Sequence, residues 1–261
     1  MSSFILAGAL CSCATRSEAP ETSSSWSVDR FADIEVLRYE VPEFENLSLQ
    51  QKKLIYYLSE AALWGRDILW DQNCSYNLKV RRVAEAVYQN YKGDKDDAEW
   101  KAFEQYMKQI WFANGIHHHY SNAKFQPGFS QQWIGGQVLA LGDWSKYVSV
   151  YDAQELVDAV FDPAKYAIKV NQADGEDLIL TSANNFYKDV TQQEVEDFYA
   201  KLKNPNDTMP VMFGLNSQLV KEDGKLVEKV WKVGGMYSET IEKIVYWLEK
   251  ASTVAENEAQ K

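Results

Sequence analysis

Apolar positions recur along this chain with two periods. From Phe31 to Val41 (FADIEVLRYEV) they alternate with polar ones, Ile34 and Val36 leading and Tyr39 and Val41 following less cleanly. That alternation predicts a strand, which Pro42 stops. From Ser48 the period becomes helical. Ser48 and Gln51 form a capping box, S-x-x-Q, and Leu54, Leu58, Ala61, Ala62 and Gly65 then share one face whose small residues permit close approach of a neighbour. A second helix is predicted from about Tyr76 to Tyr91, with Leu78, Val83, Val87 and Tyr91 inward, ended by Gly93-Asp94. A third runs from about Asp97 to Ala113, with Trp100, Phe103, Met107, Ile110 and Trp111 inward. Asn114-Gly115 is its natural stop, since both tolerate the left-handed conformation.

Beyond residue 130 the pattern weakens. Asp152 to Phe161 reads as a short helix ended by Pro163. Thr191 and Glu194 form another capping box, for a helix to about Lys203. Pro210 bounds a hairpin from Val211 to Val233 whose turn is Asp223-Gly224. A long amphipathic helix, Met236 to about Glu256, closes the sequence with Ile241, Ile244, Val245, Leu248 and Ala251 as its stripe. No repeat is visible. Segregated helices and hairpin-forming strands argue for an α+β fold.

The first residues have a different character. Phe4 to Leu10 (FILAGAL) is apolar, Cys11-Ser12-Cys13 follows, and Ala14 to Ser27 is polar and Ser-rich. This is the form of a secretory leader ending in a lipoprotein-type cysteine. Acylation at Cys13 would follow Leu10-Cys11-Ser12; acylation at Cys11 would follow a bulky Leu. Against this reading, Met1-Ser2-Ser3 carries no basic residue, and an apolar tail is the alternative. The expected organisation is a leader at 1–13, a flexible tether at 14–30 and a folded body at 31–261. A lipid anchor and a place in the cell envelope go with the leader; a cytoplasmic location goes with its absence.

Composition narrows the function. The 261 residues carry a net charge of −11, which leaves no surplus for the basic face that nucleic acid requires. Nine Trp, 15 Tyr and 11 Phe suit a core and also a groove for peptide or sugar. Three cysteines, two of them in the leader, make neither a disulfide framework nor a four-cysteine zinc site. No H-E-x-x-H helix, G-x-S-x-G elbow or phosphate-cradling G-x-x-x-x-G-K is present. All three histidines are consecutive, His117 to His119, in the unusual stretch NGIHHHYSNAKFQPGF. Two of them could face a metal, but no third ligand stands at a recognisable spacing, so no metal site is expected. Donors lining a cleft and imidazoles packed among aromatic neighbours remain equal readings of the triplet. The acid pairs Asp96-Asp97 and Glu176-Asp177 read as solvated charge, and Cys74 as a small buried hydrophobe.

The stretch LSLQQKKLIYYLSEAALWGRDILWDQNCSYN, followed by YMKQIWFANGIHHHYSNAKFQPGF, resembles the N-terminal region of bacterial dipeptidyl peptidase III. FGLNSQLVKEDGKLVEKVWKVGGMYSETIEKIVYWLEKA continues the resemblance, which covers about Phe31 to Lys261. What it implies is a zinc exopeptidase that releases dipeptides from the amino end of oligopeptides. The family fold has two lobes across a wide cleft, with a β-barrel and surrounding helices in the lower lobe and the zinc in the upper one. Zinc is held there by an H-E-x-x-G-H helix and a glutamate of an E-E-C-R-A-[DE] segment. Neither motif is in this chain, which has no histidine beyond His119. The resemblance therefore places the chain in most of the lower lobe, around a partial β-barrel, with the zinc lobe as its missing partner and no catalytic residue of its own.

The same resemblance puts the N-G-x-x-x-aromatic-x-x-x-K-F-x-P loop on the wall of the cleft. Asn114, Gly115, His119, Tyr120, Lys124 and Phe125 are the residues expected to shape that wall and to contact or position peptide. Ser121 stands where the family usually has Gly, and a positive φ there would strain the loop. Three readings compete: the amino-terminal part of a zinc dipeptidyl peptidase, inactive alone; a peptide-binding lipoprotein that does not cut; and a glycan-binding lipoprotein, suggested only by aromatic content and leader.

Overall fold

The computed structural model describes residues 26–147 and 149–261. The leader, with Cys11 and Cys13, and most of the tether lie outside the described residues. The described residues divide into two compact units, 26–40 and 41–261. It is a mixed α+β protein.

In the first unit, β1 (Ser27–Phe31) pairs antiparallel with β2 (Ile34–Leu37). The single strand expected over 31–41 is thus a hairpin whose second arm stops at Leu37. Ala32, with φ 48°, makes the tight turn that the alternation did not signal. Residues 27–30, expected in the tether, are part of β1.

The second unit begins with α1 (Leu49–Trp64), opened by the expected capping box of Ser48 and Gln51. Next come α2 (Arg66–Asn73), α3 (Asn77–Asn90) and α4 (Ala98–Ala113). Asp97 caps α4 with its side chain on the N–H groups of Glu99 and Trp100. Two more helices, α5 (Gln131–Ala140) and α6 (Val150–Phe161), complete the helical part. The core lies among them. Trp100 is 2% exposed and stacks on Tyr91 at 4.1 Å between ring centroids, and Phe103 meets Phe129 edge-on at 5.4 Å. Met107, Ile110, Val87 and Trp70 close around them. The stripe of α3 is set by Val80, Ala84 and Val87, with Leu78 and Val83 at its margin. Sequence periodicity missed α2, which follows α1 across one residue, Gly65. It also missed α5, whose Gly135-Gly136 masks the helical period.

A smaller layer follows. A short strand, β3 (Tyr187–Lys188), runs parallel to β4 (Ser217–Glu222), which pairs antiparallel with β5 (Lys225–Val230). Asp223 and Gly224, at φ 49° and 75°, form the turn that the Asp-Gly pair predicts. The arms are shorter than the expected 211–233, and Met209, Val211 and Met212 stay exposed before β4. Helix α7 (Gln192–Ala200) starts at its Thr191–Glu194 capping box and covers Leu219 with Val195. Among the described residues the strands form two small sheets and close no barrel.

The last helix, α8 (Ser238–Ser252), lies antiparallel to α1. Gln50 donates to the carbonyls of Val254 (3.1 Å) and Ala255 (3.0 Å), and Tyr57 stacks on Trp247 at 5.9 Å. Of the two predicted stripes only Ala61 and Ala251 are buried. Each helix covers one seam of the other, and Leu58, Leu63, Val245 and Leu248 remain exposed. No described helix is long and apolar enough to cross a membrane.

The two tryptophans separate core from seam. Trp100→Ala should cost about 3–5 kcal/mol in urea unfolding, and the half-buried Trp247→Ala only about 1–2 kcal/mol. Equal costs would place the main core on the α1–α8 seam instead.

Candidate functional site

The loop after α4 is built from its first residues outward. Asn114 ends the helix in the left-handed region (φ 54°, ψ 43°), and the Gly115 N–H returns to the Ile110 carbonyl at 3.0 Å. Gly115 has φ 151°, and a Cβ there would sit 2.2 Å from the Asn77 amide nitrogen. Glycine is needed for both conformation and space. Asn77 is fully buried at the start of α3. Its amide donates to the Trp70 carbonyl at 3.0 Å and accepts from the Ile116 N–H at 3.1 Å, joining α2, α3 and the loop.

Residues 116–125 then double back. His118 N–H bonds Ala123 O at 2.8 Å and Phe125 N–H bonds Ile116 O at 2.8 Å. Lys124 N–H reaches Ala167 O, Lys169 N–H reaches Asn122 O, and Asn184 N–H reaches Lys169 O. Three extended segments thus lie side by side. The left-handed residue at the tip is Asn122 (φ 61°), not Ser121, so the expected strain at Ser121 does not arise.

The six loop residues expected at the site are divided by this geometry. Tyr120 stands at the tip, 84% exposed. His119 lies beneath it, with centroids 4.3 Å apart, and packs edge-on against Phe112. Asn114 and Gly115 hold the loop's base. Phe125 is buried in the core. Lys124 turns inward, 7% exposed, and its ammonium donates to the carbonyls of Ala159 (3.1 Å), Lys165 (2.7 Å) and Asp162 at the C-terminal end of α6. Its charge neutralises orphan carbonyls there. Burial draws its pKa down, with the Asp162 carboxylate opposing.

The histidines take separate tasks as well. His117 is 2% exposed and its Nε2–H donates to the Tyr166 carbonyl at 2.6 Å, which leaves the buried Nδ1 without a partner. Burial, and secondarily the nearby Lys169 and Lys124, lowers its pKa to about 4, against the hydrogen bond to Tyr166. His118 Nδ1 accepts from the N–H groups of Tyr120 (3.2 Å) and Ser121 (3.1 Å). The triplet does not converge on a metal, and among the described residues no group of three His, Cys, Asp or Glu is placed to hold one. The residues present do not fit zinc. Burial raises the Cys74 thiol to about 11, as suits a packed side chain rather than a nucleophile.

A polar cleft of about 550 Å³ opens beside the loop. Tyr76 and Lys79 of α3 and its approach form one side. Tyr166, Ser182, Asn184, Asn185, Tyr187 and Gln218 are among the residues that complete it, together with the charged Lys188 and Asp189. None of the six predicted loop residues lines it. It touches the loop platform through Tyr166, whose carbonyl holds His117, and through Asn184. Its floor is fixed by a polar network. Gln218 donates to the Asn185 carbonyl (2.9 Å) and side-chain oxygen (2.7 Å), Asn185 donates to Asp71 at 3.1 Å, and Tyr237 donates to the same carboxylate oxygen at 2.5 Å. Burial and, after it, that bond to Asp71 hold the Tyr237 hydroxyl protonated far above its ordinary range. The missed signal was the amide doublet in SANNFYKD, which has neither helical nor strand period to draw attention to it.

No protein-family model matches the chain, and no curated protein matches it.

Two variants check this geometry. The unfolded chain takes up the His117 proton near the ordinary 6.5 and the folded one only near 4, so stability falls as pH drops through that window. At about 1.4 kcal/mol per unit the loss is about 3–4 kcal/mol, and His117→Gln should remove it from the pH dependence of urea unfolding. Lys124→Met should cost about 2–4 kcal/mol at pH 7, read by the same unfolding, because three carbonyls lose a charged donor. A neutral result would mean the ammonium is held elsewhere.

Proposed function

We propose that this chain is the peptide-binding part of a zinc-dependent dipeptidyl peptidase of the dipeptidyl peptidase III kind. In this reading 31–261 is most of a lower lobe, with its strands belonging to a partial barrel. The observation that carries it is the polar cleft beside the NGIHHHY loop. Its side-chain amides (Asn184, Asn185, Gln218) line it while bonded to Lys169, Asp71 and one another, and would present their remaining hydrogen-bonding capacity to an extended peptide backbone. Its tyrosines supply amphipathic surface for side chains. Tyr120 at the loop tip is the exposed aromatic nearest in sequence to that platform and would extend the wall.

Among the described residues no group is placed to hold zinc, so no step of hydrolysis is assigned to this chain. Its residues bind and orient; the zinc lobe, proposed as its partner, would polarise the carbonyl and supply the activated water. The net charge of −11 favours neutral or basic peptides at long range, an effect salt would screen. A lipid anchor at Cys13 and an envelope location are proposed on the leader alone.

The test is a calorimetric titration of the chain with a neutral hexapeptide bearing a free amino terminus. Binding is expected, with no cleavage even when zinc is added. Asn184→Ala and Tyr187→Ala should each weaken it about tenfold, the effect of losing roughly 1.4 kcal/mol of contact. A cooperatively folded chain that ignores peptides, or that responds to an oligosaccharide instead, would end this reading.

A further inference from the structure

Helices α3 to α6 line a second, wholly different cavity of about 360 Å³ that is open to solvent on one side. Its walls include Val80 of α3, Phe103 of α4, Ile134 and Val138 of α5, and Leu156 and Val160 of α6. No Asp, Glu, Lys, Arg or His lines it; the one side-chain amide, Gln131, is exposed at the start of α5. An ion placed there would lose its hydration and gain no partner, so the chemistry selects a neutral, apolar occupant.

The wall formed by α5 is the weakest. The sequence QQWIGGQVLA is largely apolar, yet none of its residues is fully buried. Its first half is fastened. Ser130 donates to both carboxylate oxygens of Glu99, and Trp133 packs on Phe103 at 5.4 Å and on Phe129 at 6.1 Å. Gly135 and Gly136 follow, and a Cβ at either would meet nothing within 4 Å. Packing does not ask for glycine here. Two glycines inside a helix lower its stability, which sets a weak point between the fastened half and the half that carries Val138 and Leu139 over the cavity.

We propose that this cavity binds one neutral, hydrocarbon-rich small molecule, held between the core side chains of α3, α4 and α6 and the less firmly fastened second half of α5. At about 30 Å³ for each water-sized group, it takes roughly a dozen carbon-sized groups. A single aliphatic chain or a small fused ring fits; fatty acids in their ionised form do not.

The test uses the full chain and the small neutral fluorophore 1-aminonaphthalene, which that volume accommodates. One probe per chain should bind with enhanced emission. 1-Decanol should displace it at a concentration at least about tenfold lower than decanoate at neutral pH, because no cation meets the carboxylate. Val157→Trp, or the smaller filling Ala153→Leu, should weaken probe binding at least about tenfold while the melt stays cooperative. The proposal fails if decanoate competes as well as decanol, if more than one probe binds, or if the folded filling variants bind the probe normally. That last result would put it on the exposed apolar faces of α1 and α8. It also fails if the chain is dimeric and the fillings dissociate it, since the cavity would then receive a second copy.

Discussion

A single buried amide holds the helical half together. Asn77 has no solvent to satisfy it, so its oxygen and nitrogen must both find partners inside. It finds them in the Trp70 carbonyl and the Ile116 N–H, one at the end of α2 and one just after α4. Gly115 must then pass close enough that no side chain can stand on it. Once that contact is made, the direction of the loop is set. Its return segment delivers Phe125 to the aromatic core and the Lys124 ammonium to the end of α6. The core alone, being non-directional, would not specify where the loop goes.

The polar cleft depends on the same placement at one remove. Tyr166 is fixed by the buried His117, and Asn184 by the strip of backbone that the loop joins. Asp71, one residue after the buried Trp70, anchors Asn185 and Tyr237 and so connects α2 to β4 and the head of α8. Charged and amide groups here are satisfied mutually rather than by water, which is what lets a cleft of this size keep a defined floor. The apolar cavity between α3 and α6 follows the opposite rule, with no charged side chain in its lining and one loosely held wall.

Much of this was legible in local residues. Both capping boxes, the Asn114-Gly115 stop and the Asp223-Gly224 turn lie where their side chains predict, because each acts within about five residues of itself. The inward positions Trp100, Phe103, Met107 and Ile110 were legible too, since one helix face repeats against one core. The stripes of α1 and α8 misled. Their periodicity marks a face able to be buried, and how much of it is covered depends on what lies opposite. The tether reading of 27–30 failed for a related reason: a strand's partner need not announce itself in composition.

The candidate site shows the division most clearly. The sequence alone determined that the NGIHHHY loop follows a helix and turns sharply, since glycine, asparagine and capping chemistry are properties of the residues themselves. It also determined the α+β class and the lack of a recognisable metal motif. Only the tertiary structure decided that Lys124 points into the protein, that His117 is a neutral packed imidazole and that Tyr120 alone reaches out. It also decided that the amides lining the cleft come from residues scattered between 184 and 218. Burial and hydrogen-bond partners belong to pairs of segments far apart in the chain, and no local pattern carries them.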